Sequence, residues 1–176
     1  LPNVDVKVIA LYRDRKILPV NGTTVIETGD DLFFLATEEN MRFMSELSKN
    51  QSRIENIMIA GGGIVGMTLA DKLSQKFSTK IIEKDLIRSK YLSESLEDTV
   101  VLNDDISDES LLDNEGIKEV DYFCSVTNDD QMNILSAKLA KDLGAKKSIA
   151  IINKLSYRKL VSKEIDVVIS PEDVTI

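Results

Sequence analysis

The chain has 176 residues, 43% of them hydrophobic, a formal charge of −8 and no histidine, with enough apolar material for one large or two small globular domains. The acidic balance, with a pI near 4.7, argues against a nucleic-acid surface, which needs clustered Lys and Arg, and the missing histidine removes Ser-His and Cys-His nucleophiles, His-ligated zinc and histidine pH switches. A lone Cys124 permits no internal disulfide, apolar runs such as 57–60 and 120–126 fall short of the roughly 20 residues of a membrane span, and no secretory signal opens the chain, so a reducing cytoplasm is the expected compartment.

From Val4 to Tyr12 the residues Val4, Val6, Val8, Ala10 and Tyr12 fall at every second position, the pattern of a strand with one buried face, blurred at its end by Ile9 and Leu11. Arg13 to Lys16 reads as a polar turn, Ile17 to Val20 as a short strand limited by Pro19, and Asn21-Gly22 as a tight turn. Thr28 to Asp31 supplies another turn, Leu32 to Ala36 a buried strand, and Thr37 a cap for a helix running to Ser48. Residues 1–48 are thus expected to form a small β-rich unit ending in a helix, with residues 49–55 as a largely polar linker. Leu1-Pro2, without an initiator Met, and the apolar close Val174-Thr175-Ile176 are the ends expected of a piece of a longer protein.

Over 56–176 the pattern changes to short apolar β runs alternating with helical segments. The runs are Ile57–Ala60, Lys80–Glu83, Thr99–Leu102, Tyr122–Val126, Ile149–Ile152 and Asp166–Ile169, with Cys124 a buried strand thiol. Between them Ile64, Ala70, Leu73 and Phe77 share one helical face, and Ile134, Leu135, Lys138, Leu139 and Asp142 do so in part. This alternation predicts an α/β fold: a Rossmann-like, doubly wound parallel sheet with helices on both faces and right-handed crossovers.

Gly61-Gly62-Gly63-Ile64-Val65-Gly66 lies between the first of these strands and an amphipathic helix, the context that gives a GxGxxG pattern its meaning. Gly61 permits the tight turn, Gly63 lets the backbone approach a pyrophosphate, and Gly66 lets helix and strand pack closely. The free N–H groups and positive dipole end of the helix then favour an anion. The competing reading is a glycine turn kept for packing alone.

Glu83 ends the second strand 22 residues after Gly61, close to the roughly 20 expected of a ribose-binding acid. Its carboxylate favours NAD, ATP or ADP over NADP, with the adjacent Lys84 pulling the other way; the alternative is a solvated strand-end acid. Arg88 is either a surface residue or a guanidinium that stacks over adenine or reaches a phosphate. Asp104 follows the third strand, where it could accept from an adenine amino group. Asp105 and Asp108 lack the spacing of a calcium loop, and Asp108 is read as a surface or capping residue. Thr127 and Asn128, at the carboxyl end of the fourth strand, could bond phosphate or ribose; Asp129 or Asp130 is a helix N-cap, and Asn133, one turn in, could face the pocket.

Taken together, Ile57 to Gly66, Ile82-Glu83, Val126 to Asn133 and Gly144-Ala145-Lys146-Lys147 resemble the RCK, or KTN, family of cytosolic gating domains, over nearly the whole chain. Gly29 to Leu35 resembles the end of that family's small C-terminal subdomain, and Asn153 to Tyr157 with Ile169-Ser170-Pro171 also fit. In members built of two tandem halves, this order matches the small subdomain of the first half joined to the nucleotide domain of the second. The resemblance implies a peripheral regulator on the cytoplasmic face of the plasma membrane. It would assemble as a dimer or tetramer and gate a Trk-type potassium channel subunit in response to NAD(H) or ATP/ADP, bound as ligand and not as catalytic cofactor. Two positions depart from the family pattern: Asn103 stands where Gly usually precedes the acid, and Ile151 where first-half copies often carry a phosphate-facing Arg. The other readings are a fragment of an NAD-dependent oxidoreductase, which needs a substrate domain and a proton donor, and a Rossmann module that binds nothing and serves assembly.

Overall fold

The computed structural model describes residues 6–13, 16–18, 20–37, 40, 54–154, 156–157, 161 and 164–170. The chain divides into two compact units, Leu1–Arg53 and Ile54–Thr175.

The first unit holds an antiparallel sheet of β1 (Val6–Arg13), β2 (Lys16–Leu18) and β3 (Asp31–Ala36), in the order β2-β1-β3. The expected alternation along β1 is broken: the β1–β3 register shifts between Val8 and Ala10, and Leu11, off the expected face, is 1% exposed. A bulge adds one residue to one strand and so exchanges the faces beyond it. Arg13 does not belong to the turn. As the last residue of β1 it donates Nε and Nη2 to the two carboxylate oxygens of Asp30, both at 2.8 Å. Beside that guanidinium, and accepting the Glu27 amide, the Asp30 carboxyl is held down to about 2. Asn21 builds the expected tight turn, its side chain accepting from Thr23 N at 3.0 Å. Of the helix expected over 37–48, only Thr37 and Asn40 lie among the described residues; Asn40 N donates to Thr37 Oγ1 at 3.4 Å.

The second unit is a parallel sheet of β4 (Asn56–Ala60), β5 (Ser78–Ile82), β6 (Thr99–Leu102), β7 (Tyr122–Ser125), β8 (Lys147–Ile151) and β9 (Val167–Ile169), in the order β6-β5-β4-β7-β8-β9. The crossovers carry α1 (Ile64–Ser74), α2 (Leu86–Ser95), α3 (Glu109–Asn114) followed by a 3-10 turn at Ile117–Glu119, and α4 (Asp130–Asp142). The polar starts Ser78 and Lys147-Ser148 lie before the apolar runs but already pair in the ladders.

Both faces of the sheet are covered. Met58, Ala60, Ile82 and Phe123 point into one core with Leu112 and Ala140, while Ile57, Ile59, Ile81 and Cys124 point into another with Ala70 and Leu92. Burial pushes the Cys124 thiol up to about 12, so it is an inert core group.

One residue of the expected α1 face, and the inner face of α4, differ from the sequence expectation. Ile64 is 85% exposed, and α1 packs through Gly66 and Ala70, with Leu73 and Phe77 partly buried. On α4 the buried stripe is Asn133, Ser136, Ala137 and Ala140, while Leu135 faces solvent. Small side chains let a helix lie close to the sheet, so residue size outranks hydrophobicity in choosing the inner face.

Candidate functional site

The strand order reverses between β5-β4 and β7, and the carboxyl ends of these strands open a crevice, the place where open α/β sheets bind ligands. The glycine loop forms its floor. Gly61 N donates to Ile82 O at 2.9 Å, and Gly61 then turns with φ +105°, a conformation that glycine adopts without strain. A Cβ on Gly66 would lie 1.8 Å from Gly61 O, so α1 reaches the loop only because Gly66 has no side chain. Gly63 is different: it caps α1 without a side-chain hydrogen bond, and a Cβ there would meet nothing within 4 Å. The first turn of α1 carries no acidic residue, so its dipole end is left for an external anion.

Glu83 is locked to this loop. Its Oε2 accepts Gly62 N at 2.8 Å and its Oε1 accepts Asp85 N at 2.9 Å. Gly62 is buried; a Cβ there would lie 2.3 Å from Leu92 Cδ1. Arg88 is neither a free surface residue nor an unattached guanidinium. Its Nε donates to Gly62 O at 2.6 Å, and its guanidinium stacks 4.9 Å from the Tyr91 ring centroid. Asn103 Nδ2 donates to Glu83 O at 2.9 Å and Lys84 O at 3.2 Å, a tie for the β5–α2 turn that glycine would lack.

On the far side, Asp129 is the N-cap of α4, accepting Gln131 N at 2.8 Å. Asp130 instead turns inward: its oxygens accept Asn153 N at 3.0 Å and Lys154 N at 2.9 Å. Burial alone would raise the Asp130 carboxyl, but these amides and the Asn153 side chain hold it below the usual range. Asp108 caps α3, accepting Ser110 N at 2.8 Å, and Asp105 is lowered by the amide and hydroxyl of Ser107. Asn133 does not face the pocket; it is fully buried beneath Thr127.

The crevice encloses about 750 Å³. The structure brings Gly61, Gly63, Ile64, Val65, Glu83, Lys84, Arg88, Asp104, Thr127 and Asn128 together in its walls, whereas Gly62 and Gly66 lie behind them. Met132, Ile151 and Asn153 also line it without having been singled out as contacts. The signal for the last two was positional, since each sits at or just past the carboxyl end of β8. The glycine cradle, the open Gly63 and the fixed acid fit a phosphate flanked by a ribose.

A parallel sheet in this order, with a glycine loop after its first strand and an acid just after its second, defines a Rossmann-type domain. The chain belongs to the TrkA-N domain family, whose profile matches residues 57–171. The Trk system potassium uptake protein TrkA of Vibrio alginolyticus is 43% identical over 178 aligned positions, which cover 100% of this chain and 39% of that protein. The chain thus spans about two fifths of that relative's length. Two solved structures share the fold at 22% identity, TM-score 0.66 and 96% coverage of this chain: the GsuK RCK domain, of which 36% is covered, and the GsuK channel bound to NAD, of which 30% is covered. Among the described residues, no helix is long and apolar enough to cross a membrane.

Proposed function

We propose that this chain is a nucleotide-binding regulatory module of a Trk-type potassium uptake system. Its residues 56–176 act as the RCK N-terminal-type sensing domain and 1–48 as a C-terminal-type subdomain, joined by 49–55. The observation that carries the reading is the Glu83 carboxylate held on Gly62 N beside the open Gly63. That arrangement sets an acceptor for ribose hydroxyls next to a helix N-terminus suited to a pyrophosphate.

NAD(H) or ATP/ADP is the ligand, with Glu83 at the ribose, Gly61 to Val65 and Thr127-Asn128 around the phosphates, and Asp104 toward adenine. Lys84 and Arg88 flank the ribose side. The NAD named with the GsuK channel, and the name of the Vibrio relative, support this assignment. The module is not an enzyme; it acts by binding two conformations of a membrane channel assembly with different affinity. It works as a dimer or tetramer on the cytoplasmic face of the membrane.

Thermal shifts with NAD, NADH, NADPH, ATP and ADP test the reading. A ligand at about 100 times its dissociation constant adds roughly 2.7 kcal/mol of stability. Stabilisation by NAD(H) or ATP/ADP but not NADPH is the expected pattern; no response to any of them contradicts it.

A further inference from the structure

Beneath the crevice lies a buried polar cluster that ligand contact does not explain. Asn133 is 0% exposed, yet its whole hydrogen-bonding capacity is used. Its Oδ1 accepts Thr127 N at 2.9 Å, Thr127 Oγ1 at 2.6 Å and Ser125 Oγ at 3.1 Å. Its Nδ2 donates to Thr127 O at 3.0 Å and to Ile151 O at 2.8 Å. Ser136 Oγ lies 2.7 Å from both Ser125 Oγ and Met132 O, and its proton directed to Ser125 leaves the Ser125 proton for Asn133 Oδ1.

The amide therefore ties two residues of the crevice wall, Thr127 and Ile151, to the end of β7 behind them. Ser125 ends β7, Ile151 ends the neighbouring β8, and Thr127 is clamped between them on its N–H, its C=O and its hydroxyl. Thr127 also presses on the glycine loop: its N and Cα lie 3.0 and 3.1 Å from where a Cβ of Gly61 would be. An apolar side chain would fill the same volume without the desolvation cost of a buried amide. A fully satisfied amide instead fixes direction and distance at each partner.

We infer that Asn133 is a positioning residue for the nucleotide site: it touches no ligand but sets the spacing between the Thr127 edge, the glycine loop and the end of β8. This rests on the nucleotide reading above. The charged groups nearest along the chain, Asp129 and Asp130, are tied to the amides of Gln131 and of Asn153 and Lys154, so they do not enter the cluster.

The test is the dissociation constant for NAD, measured by calorimetry on the 176-residue chain between about pH 8 and pH 5.5. Asn133→Asp keeps the acceptor but turns the donor into a carboxylate facing two carbonyls. It should weaken NAD about tenfold or more at the upper pH and recover most of the loss at the lower one, as the carboxyl takes up a proton. Wild-type affinity should stay flat across the same range. Ser125→Ala leaves the crevice walls untouched and slackens the amide, so it should weaken NAD about threefold. Asp121→Asn, at the opposite edge of the sheet, should lower the melting temperature with NAD affinity unchanged. Wild-type affinity in both Asn133→Asp and Ser125→Ala overturns the positioning role and leaves the nucleotide reading standing. So does a loss with no pH dependence that Asp121→Asn reproduces at equal loss of melting temperature. Failure of the wild-type chain to bind any of NAD, NADH, ATP and ADP overturns both.

Discussion

Glu83 Oε2 accepts the amide of Gly62 at 2.8 Å, which ties this acid, one residue past the end of β5 rather than its last residue as expected, to the loop following β4. The second oxygen is fixed by Asp85 N at 2.9 Å, so the carboxylate keeps one orientation at the crevice wall. On the proposed reading, a negative charge that does not move aside would disfavour a 2′-phosphate.

Glu83→Gln keeps the size of the side chain and removes that charge. Hydrogen bonds to charged groups contribute about 1.5–3 kcal/mol, so NAD affinity should fall about tenfold to a hundredfold while the preference for NAD over NADP narrows. Parallel calorimetric titrations with the two dinucleotides check this. A wild-type chain that already binds both equally would remove Glu83 from the recognition.

Gly66 and Gly63 make a contrasting pair. Gly66→Ala drives a methyl into Gly61 O, a backbone atom 1.8 Å from the new carbon, and should destabilise the domain by about 3 kcal/mol. Gly63→Ala meets nothing within 4 Å and should change stability by less than about 0.5 kcal/mol while obstructing the approach of a phosphate. Denaturant midpoints and NAD titrations on the two variants separate packing from binding.

Asp121 staples the amino edge of the sheet. Its Oδ2 accepts Glu55 N at 2.7 Å and Asn56 N at 2.9 Å, and its Oδ1 accepts Lys146 Nζ at 2.7 Å. Burial alone would raise this carboxyl; the Asn56 amide, the Lys146 ammonium and the Glu55 amide outweigh it and hold the group at about 2 instead of 3.8. A depressed folded value means the stabilisation is complete above pH 3.8 and fades as the pH falls through about 2. Asp121→Asn should therefore cost about 2 kcal/mol at pH 7, and the gap to wild type should close near pH 2. A gap that stays constant with pH contradicts the assignment.

What the sequence made legible follows from chemistry with few alternatives. Only glycine fits at Gly61 and Gly66, one for its backbone angle and one for the adjacent carbonyl, so their spacing alone locates the loop. The Glu83 position followed from the length of one crossover. The misses came from side-chain direction, which tertiary packing decides. Ile64 looked like a core residue yet is exposed in the crevice wall, because at the very start of α1 it lies across the helix from the inner face of Gly66, Ala70 and Leu73. Asn133, one helical turn in, lies beneath the crevice and holds the backbone that forms it, as does Arg88, which also lines the crevice. In the first unit a single bulge transferred burial to Leu11, which an alternating pattern cannot foresee.

The most direct test of the account is a calorimetric titration of NAD into the wild-type chain and into Gly63→Val. The site predicts saturable binding to the wild type, with one ligand per chain, and loss of that binding in a variant whose melting temperature is unchanged, since space around Gly63 is open. No binding to the wild type, or equal binding to both, would contradict it.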